Sequence, residues 1–232
     1  MQNDFTQKEF AIKTFVKRKA KCSKRQKEKY KKLYPKYCIP LSENLLDFSK
    51  IFNNPETCNK TIIEIGFGSG EATYKIALAN PNTNYLGIEV FQTGVAKLLS
   101  KIDANKIENI RIIEDDAVEV LQKMILPNSV AGFHIFFPDP WQKKRHHKRR
   151  LMQVDKISLM AEKLIKGGSL YFVTDWAEYA ESALSELNKV TSLKNKYGSG
   201  FSPKQAWRPQ TSFEKKALIA GRNIFELIFV KI

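Results

Sequence analysis

From Thr61 onward, short apolar runs alternate with segments of helical spacing, and this alternation constrains the fold more than any other feature. The runs at 61–65, 84–89, 110–113, 130–137, 169–174 and 224–230 read as strands. Helical patterns fill the intervals at 71–79, 92–104, 117–124, 149–165 and 177–188. Strands that alternate with helices of this length predict an α/β fold: a mainly parallel sheet with helices on both faces. The stretch 194–216 holds Gly, Pro and aromatic residues without a clear period, and is expected to be a long connection near the site. Residues 1–55 read as a basic N-terminal extension with a helical stretch at 42–52, where Ser42, Glu43 and Asp47 suit a helix start. Residues 56–232 form the α/β domain.

Charge is unevenly placed. The chain carries +15, but residues 1–36 hold 13 Lys/Arg against 3 Asp/Glu, and residues 141–150 hold 6 Lys/Arg and no acid. Everything else sums to −1. A near-neutral body with two basic segments implies a polyanion partner, nucleic acid above all. A membrane surface fits less well, because the first basic segment lacks a face of large apolar residues. No apolar run is long enough to span a bilayer, and Met1-Gln2-Asn3-Asp4 does not begin a signal peptide, so a cytoplasmic location is expected. Cys22, Cys38 and Cys58 form no CxxC pair and no ligand pattern with histidine; reduced thiols and no metal are expected.

Ile62-Ile63-Glu64-Ile65 runs into Gly66-Phe67-Gly68-Ser69-Gly70 and then a helix. Glycines there let the backbone turn sharply and approach a ligand. A dinucleotide fingerprint would need glycine in the sixth position, which is Glu71, and an acid at a helix start repels phosphate. A sulfonium cation with an amino-acid tail suits the place better. Glu89, ending the second strand, can accept from ribose hydroxyls. Asp116 can accept from an adenine amino group while Ala117 packs near the ring, or it is simply a helix N-cap. Glu64 binds the methionine end of such a cofactor, or caps a turn. The joint spacing favours cofactor binding.

The fourth strand ends in Phe137-Pro138-Asp139-Pro140-Trp141, where two prolines hold Asp139 at the carboxyl edge of the sheet. Lys143 and the run Arg145-His146-His147-Lys148-Arg149-Arg150 follow at once, and cations beside a site acid suit a phosphate backbone.

Together, Glu64 to Gly70, Gly87-Ile88-Glu89-Val90, Phe137 to Trp141 and Arg145 to Arg150 resemble the bacterial tRNA (guanine-N7-)-methyltransferases. Thr174-Asp175-Trp176 and Thr211-Ser212-Phe213-Glu214 match later motifs of that family, and Phe15-Val16-Lys17-Arg18 with Tyr34-Pro35-Lys36-Tyr37 its N-terminal region. The resemblance implies a Rossmann-like methyltransferase fold, S-adenosylmethionine as methyl donor with S-adenosylhomocysteine as product, no metal, and a guanine of the tRNA variable loop as acceptor. It implies Asp139 as the active-site acid, set beside the methyl group. Glu64, Gly66, Gly68, Gly70, Glu89, Asp116 and Ala117 would hold the cofactor with it. Lys143, Asp175, Thr211, Ser212, Phe213 and Glu214 would meet the substrate, Asp175 and Glu214 accepting from the guanine N1–H and exocyclic amine. Arg145, His146, His147, Lys148, Arg149 and Arg150 would bind RNA. A monomer or homodimer is expected. The rival readings are methylation of an exocyclic amine on another base, a non-catalytic RNA-binding protein on the same scaffold, and, least compatible with Glu71, a nicotinamide dehydrogenase.

Overall fold

The computed structural model describes residues 12–16, 22–52 and 60–232. Cys58, Lys17, Arg18 and the boundary expected between residues 55 and 56 lie outside the described residues. In chain order the elements are α1 (Lys24–Tyr37), α2 (Phe48–Ile51), β1 (Thr61–Ile65), α3 (Glu71–Ala79), β2 (Asn84–Ile88), α4 (Gln92–Asn105), β3 (Ile110–Ile113) and α5 (Ala117–Lys123). There follow β4 (Val130–Phe136), a 3-10 helix (Lys144–Arg149), α6 (Val154–Lys163), β5 (Leu164–Thr174), α7 (Ala177–Asn188), β6 (Leu193–Asn195), α8 (Ser212–Ile219) and β7 (Phe225–Lys231).

Among the described residues the strands form one seven-stranded sheet, ordered β3-β2-β1-β4-β5-β7-β6. The first five are parallel, and β7 runs antiparallel to both β5 and β6. Strand order reverses between β1 and β4, so the loops leaving their carboxyl ends diverge and open a crevice there.

Alternation along the strands sorts the core into two layers. Ile63, Leu86, Phe133, Ile135, Leu170 and Phe172 pack on the face shared with α5, α6 and α7. Tyr85, Phe136, Tyr171 and Val173 pack on the other face, with α1, α3 and α4. Glu64 and His134 are paired in register across β1 and β4 and are both buried. The period of two that puts Ile63 and Ile65 on the α5–α7 side puts Glu64 on the α3–α4 side.

Several expected elements shift. The helical stretch 42–52 contracts to Phe48–Ile51, capped by the Asp47 carboxylate accepting from Ser49 N–H. The helix expected from 149 begins at Val154, because the chain first closes a 3-10 turn and then sends Leu151 and Met152 into the core. β5 starts at Leu164, five residues early, with a register shift opposite Val130 and Gly132. The connection 194–216 contains part of β6 and the start of α8.

Helix α1, within the stretch read only as basic, is the largest addition. Ser23 and Gln26 form a reciprocal capping box at its start, a device that stabilises a helix by about 1 kcal/mol. Tyr30, Leu33, Tyr34 and Tyr37 recur at helical spacing and pack in the α3–α4 layer. Tyr30 donates to Glu114 at 2.7 Å, pinning the helix beside the end of β3. No helix among the described residues is long and apolar enough to cross a membrane.

Candidate active site

The loop after β1 has left-handed backbone at Gly66, Gly68 and Gly70 (φ 71°, 57° and 68°). The glycines do different work. A Cβ on Gly70 would sit 2.7 Å from Leu98, so its hydrogen is needed for packing against α4. A Cβ on Gly66 or Gly68 would meet nothing within 4 Å; that side of the loop is open. Gly94, in the first turn of α4, presses on the loop from outside: a Cβ there would lie 2.2 Å from the Gly68 carbonyl oxygen.

Glu89 clamps this arrangement. Its carboxylate accepts from Gly68 N–H at 2.7 Å, Val90 N–H at 2.8 Å and Phe91 N–H at 3.1 Å. Burial raises its pKa, the three amides oppose the rise, and the charge of Asp139 adds to it, which puts the two acids within electrostatic reach. A carboxylate has about four acceptor positions, so three amides leave one for a ligand hydroxyl.

Glu64 lies at the base of the loop, 3% exposed, with Oε2 lacking any hydrogen-bond partner among the described residues. Burial pushes its pKa up to about 7; the Thr73 hydroxyl pulls it down and the Glu89 charge pushes it up. Asp116 is both buried and an N-cap, accepting from Val118 N–H at 3.0 Å. Burial raises its pKa. Ala117 is buried beside it. Glu71, the residue that breaks the dinucleotide fingerprint, is paired with Lys101 and with Lys75 at 2.9 Å, and these cations hold it down at about 2.

Across the crevice, Phe137 takes a left-handed conformation (φ 53°) while its N–H donates to Val173 at 2.8 Å. That reversal lifts Pro138-Asp139-Pro140 off the sheet edge and leaves Asp139 exposed. Trp141 also has positive φ (48°), and its indole N–H donates to the Thr14 carbonyl at 3.1 Å. The Arg149 guanidinium covers its ring at 5.3 Å and donates to the Lys13 carbonyl at 3.3 Å. Trp141 therefore ties residues 12–16 to the site.

The basic run divides. Lys143, Lys144, Arg145 and Lys148 are exposed, and His146, His147 and Arg149 partly so. Slight burial and the surrounding cations hold His146 below the usual imidazole range. Arg150 points inward instead of toward a phosphate. It is 1% exposed, donates to the Pro140 carbonyl at 2.9 Å, forks onto both oxygens of Glu178, and lies 4.7 Å from the Tyr179 ring.

Asp175 follows β5 at the same edge and accepts from Arg222 at 2.8 Å. With Trp176, Glu178, Asn223 and Phe225 it lines an open depression of about 430 Å³. Thr211 caps α8, its hydroxyl accepting from Glu214 N–H at 3.1 Å, and Ser212 and Phe213 face solvent. The Phe213 ring stacks on Phe137 (centroids 6.4 Å apart, planes 17° apart). Glu214 does not reach outward: it is 1% exposed, with one oxygen taken by Lys204 and the other by Arg208, both at 2.6 Å. Among the described residues no cluster of three or more His, Cys, Asp or Glu side chains is placed to hold a metal ion.

A family model described as "Putative methyltransferase" matches residues 58–227. A tRNA (guanine-N(7)-)-methyltransferase from Bordetella pertussis is 44% identical over 94% of this chain and 84% of its own length. One from Treponema pallidum is 43% identical over 94% of this chain and 95% of its own. The chain belongs to the tRNA (guanine-N7-)-methyltransferase family. Its fold is the Rossmann-like methyltransferase fold: the solved structure of the 16S rRNA methyltransferase KamB aligns with a TM-score of 0.57 at 14% identity, over 81% of this chain and 95% of that one.

The structure also brings residues to the site that the sequence did not single out. Gly94 has a legible signal, a glycine two residues into a helix directly after an acid-ended strand. Arg208 and Arg222 have none: Arg222 meets Asp175 47 residues away, and Arg208 meets Tyr171 and Glu226 on distant strands besides the nearby Glu214. Thr14 acts through its carbonyl oxygen, which no side-chain pattern reveals.

Proposed function

We propose that this protein transfers the methyl group of S-adenosylmethionine to N7 of a guanine in the tRNA variable loop. The carrying observation is the placement of an exposed Asp139 across from the Glu89-clamped glycine loop, followed within a few residues by the exposed cations Lys143, Lys144, Arg145 and Lys148.

The residues present fit the cofactor. Glu64 offers a buried carboxylate oxygen without a partner to a cationic amino group, and the side of the loop bounded by Gly66 and Gly68 is free of side chains. Glu89 retains acceptor capacity for a ribose hydroxyl, and Asp116 retains its second oxygen for an adenine amine beside Ala117. When bound, the cofactor supplies an electrophilic methyl carbon on a sulfonium.

Guanine N7 carries a lone pair, so the chain has no proton to remove before transfer. Its task is to align the base and exclude water. As N7 gains a bond the purine becomes cationic, and Asp139 stabilises the developing charge from the turn above it. Asp175, held from one side by Arg222, accepts from the guanine Watson–Crick edge. The exposed face of Phe213, backed by Phe137, offers a stacking surface, with Ser212 at its edge. Thr211 acts by capping α8, and Glu214 by anchoring that helix. Lys143, Lys144, Arg145, Lys148 and the partly exposed His146, His147 and Arg149 hold phosphates, which neutralises backbone charge without reading sequence.

The outer face of α1 adds Lys24, Arg25, Lys27, Lys31 and Lys32, all exposed. It lies on the β3 side, so the glycine loop stands between the two basic surfaces in strand order. A tRNA contacting both would cross the active site. This reading puts the enzyme with its substrate in the cytoplasm.

The test uses labelled S-adenosylmethionine and unmodified tRNA, followed by chain cleavage at the labilised base. Label in the variable loop with cleavage at guanine is expected. Label that resists such cleavage would mean amine methylation, and tRNA binding without label would mean a non-catalytic protein.

A further inference from the structure

Arg208 lies in the connection before α8, yet its side chain is wholly buried. It donates through Nε to the Tyr171 hydroxyl at 3.2 Å, through one terminal nitrogen to Glu214 at 2.6 Å and through the other to Glu226 at 2.7 Å. The Tyr171 hydroxyl donates in turn to the second oxygen of Glu226. The guanidinium carbon lies 5.9 and 6.0 Å from the ring centres of Phe136 and Phe137. One side chain thus joins β5, β7, the first turn of α8 and the residue that reverses the chain before Asp139.

Burying four charged or strongly polar groups together is a costly way to fill space. Apolar residues of similar volume often do so as well or better, so such a cluster is poor evidence of stability alone. What the guanidinium adds is direction: its planar fork fixes three acceptors at set angles. Burial would lower the pKa of Arg208, but the carboxylates outweigh it, and the cation persists at every working pH.

We propose that Arg208 is a positioning residue for methyl transfer, holding the first turn of α8 in register with the turn that carries Asp139. It acts from both sides of the Phe137–Phe213 stack, gripping α8 through Glu214 and lying beneath the Phe137 ring. The cofactor loop is supported separately, by Glu89 and α4, so disturbing Arg208 misplaces the base relative to the methyl carbon and leaves cofactor binding intact. This inference rests on the guanine-methylating reading of the same site.

Arg208→Met alone leaves one oxygen of the buried Glu214 without its donor, the other keeping Lys204, so Arg208→Met/Glu214→Gln is made beside it; there Glu226 keeps the Tyr171 hydroxyl and the Gln205 N–H. In the double variant, calorimetric affinity for S-adenosylhomocysteine should stay within about threefold, while kcat on tRNA falls about 100-fold and KM changes far less, as expected for a small misplacement of reacting groups. Arg208→Lys, which cannot reproduce the fork, should recover only part of the rate. Hydrogen exchange of the cofactor-bound proteins gives an arm independent of activity. Amides of α8 and of residues 137–139 should lose protection together in the double variant, and the glycine loop should not. A folded double variant with unchanged kcat, or one that loses rate and cofactor affinity in parallel, overturns the proposal. If wild-type protein places no methyl in the variable loop, the functional reading fails, and exchange alone then decides whether Arg208 couples the two turns.

Discussion

The Glu89 carboxylate and the Gly68 amide are joined by a 2.7 Å hydrogen bond that crosses from the end of β2 to the loop after β1. With Val90 and Phe91 also donating to it, Glu89 is part of the loop's framework as well as the proposed ribose acceptor. Hydrogen bonds to a charged group contribute roughly 1.5–3 kcal/mol each. Glu89→Ala should weaken S-adenosylhomocysteine binding by about 100-fold or more, and also lower the unfolding midpoint. Calorimetry and thermal denaturation read the two effects. A variant that lost affinity with an unmoved midpoint would confine Glu89 to ligand contact.

The glycines predict a separation of stability from binding. Gly94→Ala drives a methyl group into the Gly68 carbonyl, a backbone atom that cannot step aside. A destabilisation of about 2–4 kcal/mol is expected by urea denaturation, in the range of severe overpacking. Gly68→Ala meets open space and carries only the left-handed backbone strain, about 1–2 kcal/mol. Its methyl group projects into the open side of the loop proposed to take the cofactor, so affinity should fall more than stability. The reverse ranking would mean that the loop lies differently against α4.

These relationships divide by how far they were legible in the chain. The glycine loop, Glu89, Asp116 and the Pro-Asp-Pro turn sit directly after strands, so the alternation that revealed the strands also placed them at one edge. Helix α1 was legible in principle, through Ser23, Gln26 and the Tyr30, Leu33, Tyr34, Tyr37 spacing, but interleaved lysines hid the pattern. Arg150 was not: in a run of cations nothing distinguishes the one that a 3-10 turn directs inward. Arg208 was harder still. Its partners Tyr171 and Glu226 are 37 and 18 residues away, and meet it only because β7 enters antiparallel to β5. Pairings set by strand register have no local signature.

The division within the basic run is itself testable. Lys143, Arg145 and Lys148 are exposed, whereas Arg150 holds the Pro140 carbonyl. Replacing the three exposed residues with alanine should reduce tRNA affinity and flatten its dependence on salt, by about 0.7–0.9 in log–log slope for each phosphate no longer neutralised. Arg150→Met should leave that slope unchanged and lower kcat, because the turn bearing Asp139 loses its tether. Filter binding across a salt series distinguishes them. Equal slopes for the triple variant and wild type would remove the 3-10 helix from the RNA interface.

Glu64 gives the last prediction, a pH dependence with a definite sign. Its folded pKa, about 7, stands above the ordinary carboxylate value of 4.5. Between those values the folded, ligand-free protein holds more protons than the unfolded chain, so this group's contribution to stability is full below 4.5 and is lost as pH rises through 7. The span corresponds to about 3 kcal/mol. His134 works oppositely. Burial lowers it to about 3, so its contribution is present above the usual imidazole value of 6.5 and is lost as pH falls toward 3. The two slopes overlap, and wild-type stability alone cannot separate them. Glu64→Gln removes only the first. The variant should match wild type near pH 4.5 and exceed it by about 3 kcal/mol at pH 8 in urea denaturation. If the cofactor amino group pairs with Glu64, binding of S-adenosylhomocysteine to wild type near pH 6 should release a proton, seen as a dependence of calorimetric enthalpy on buffer ionisation. Glu64→Gln should abolish that release. Persistence of the proton signal in the variant would assign it to another group and take Glu64 out of the cofactor site.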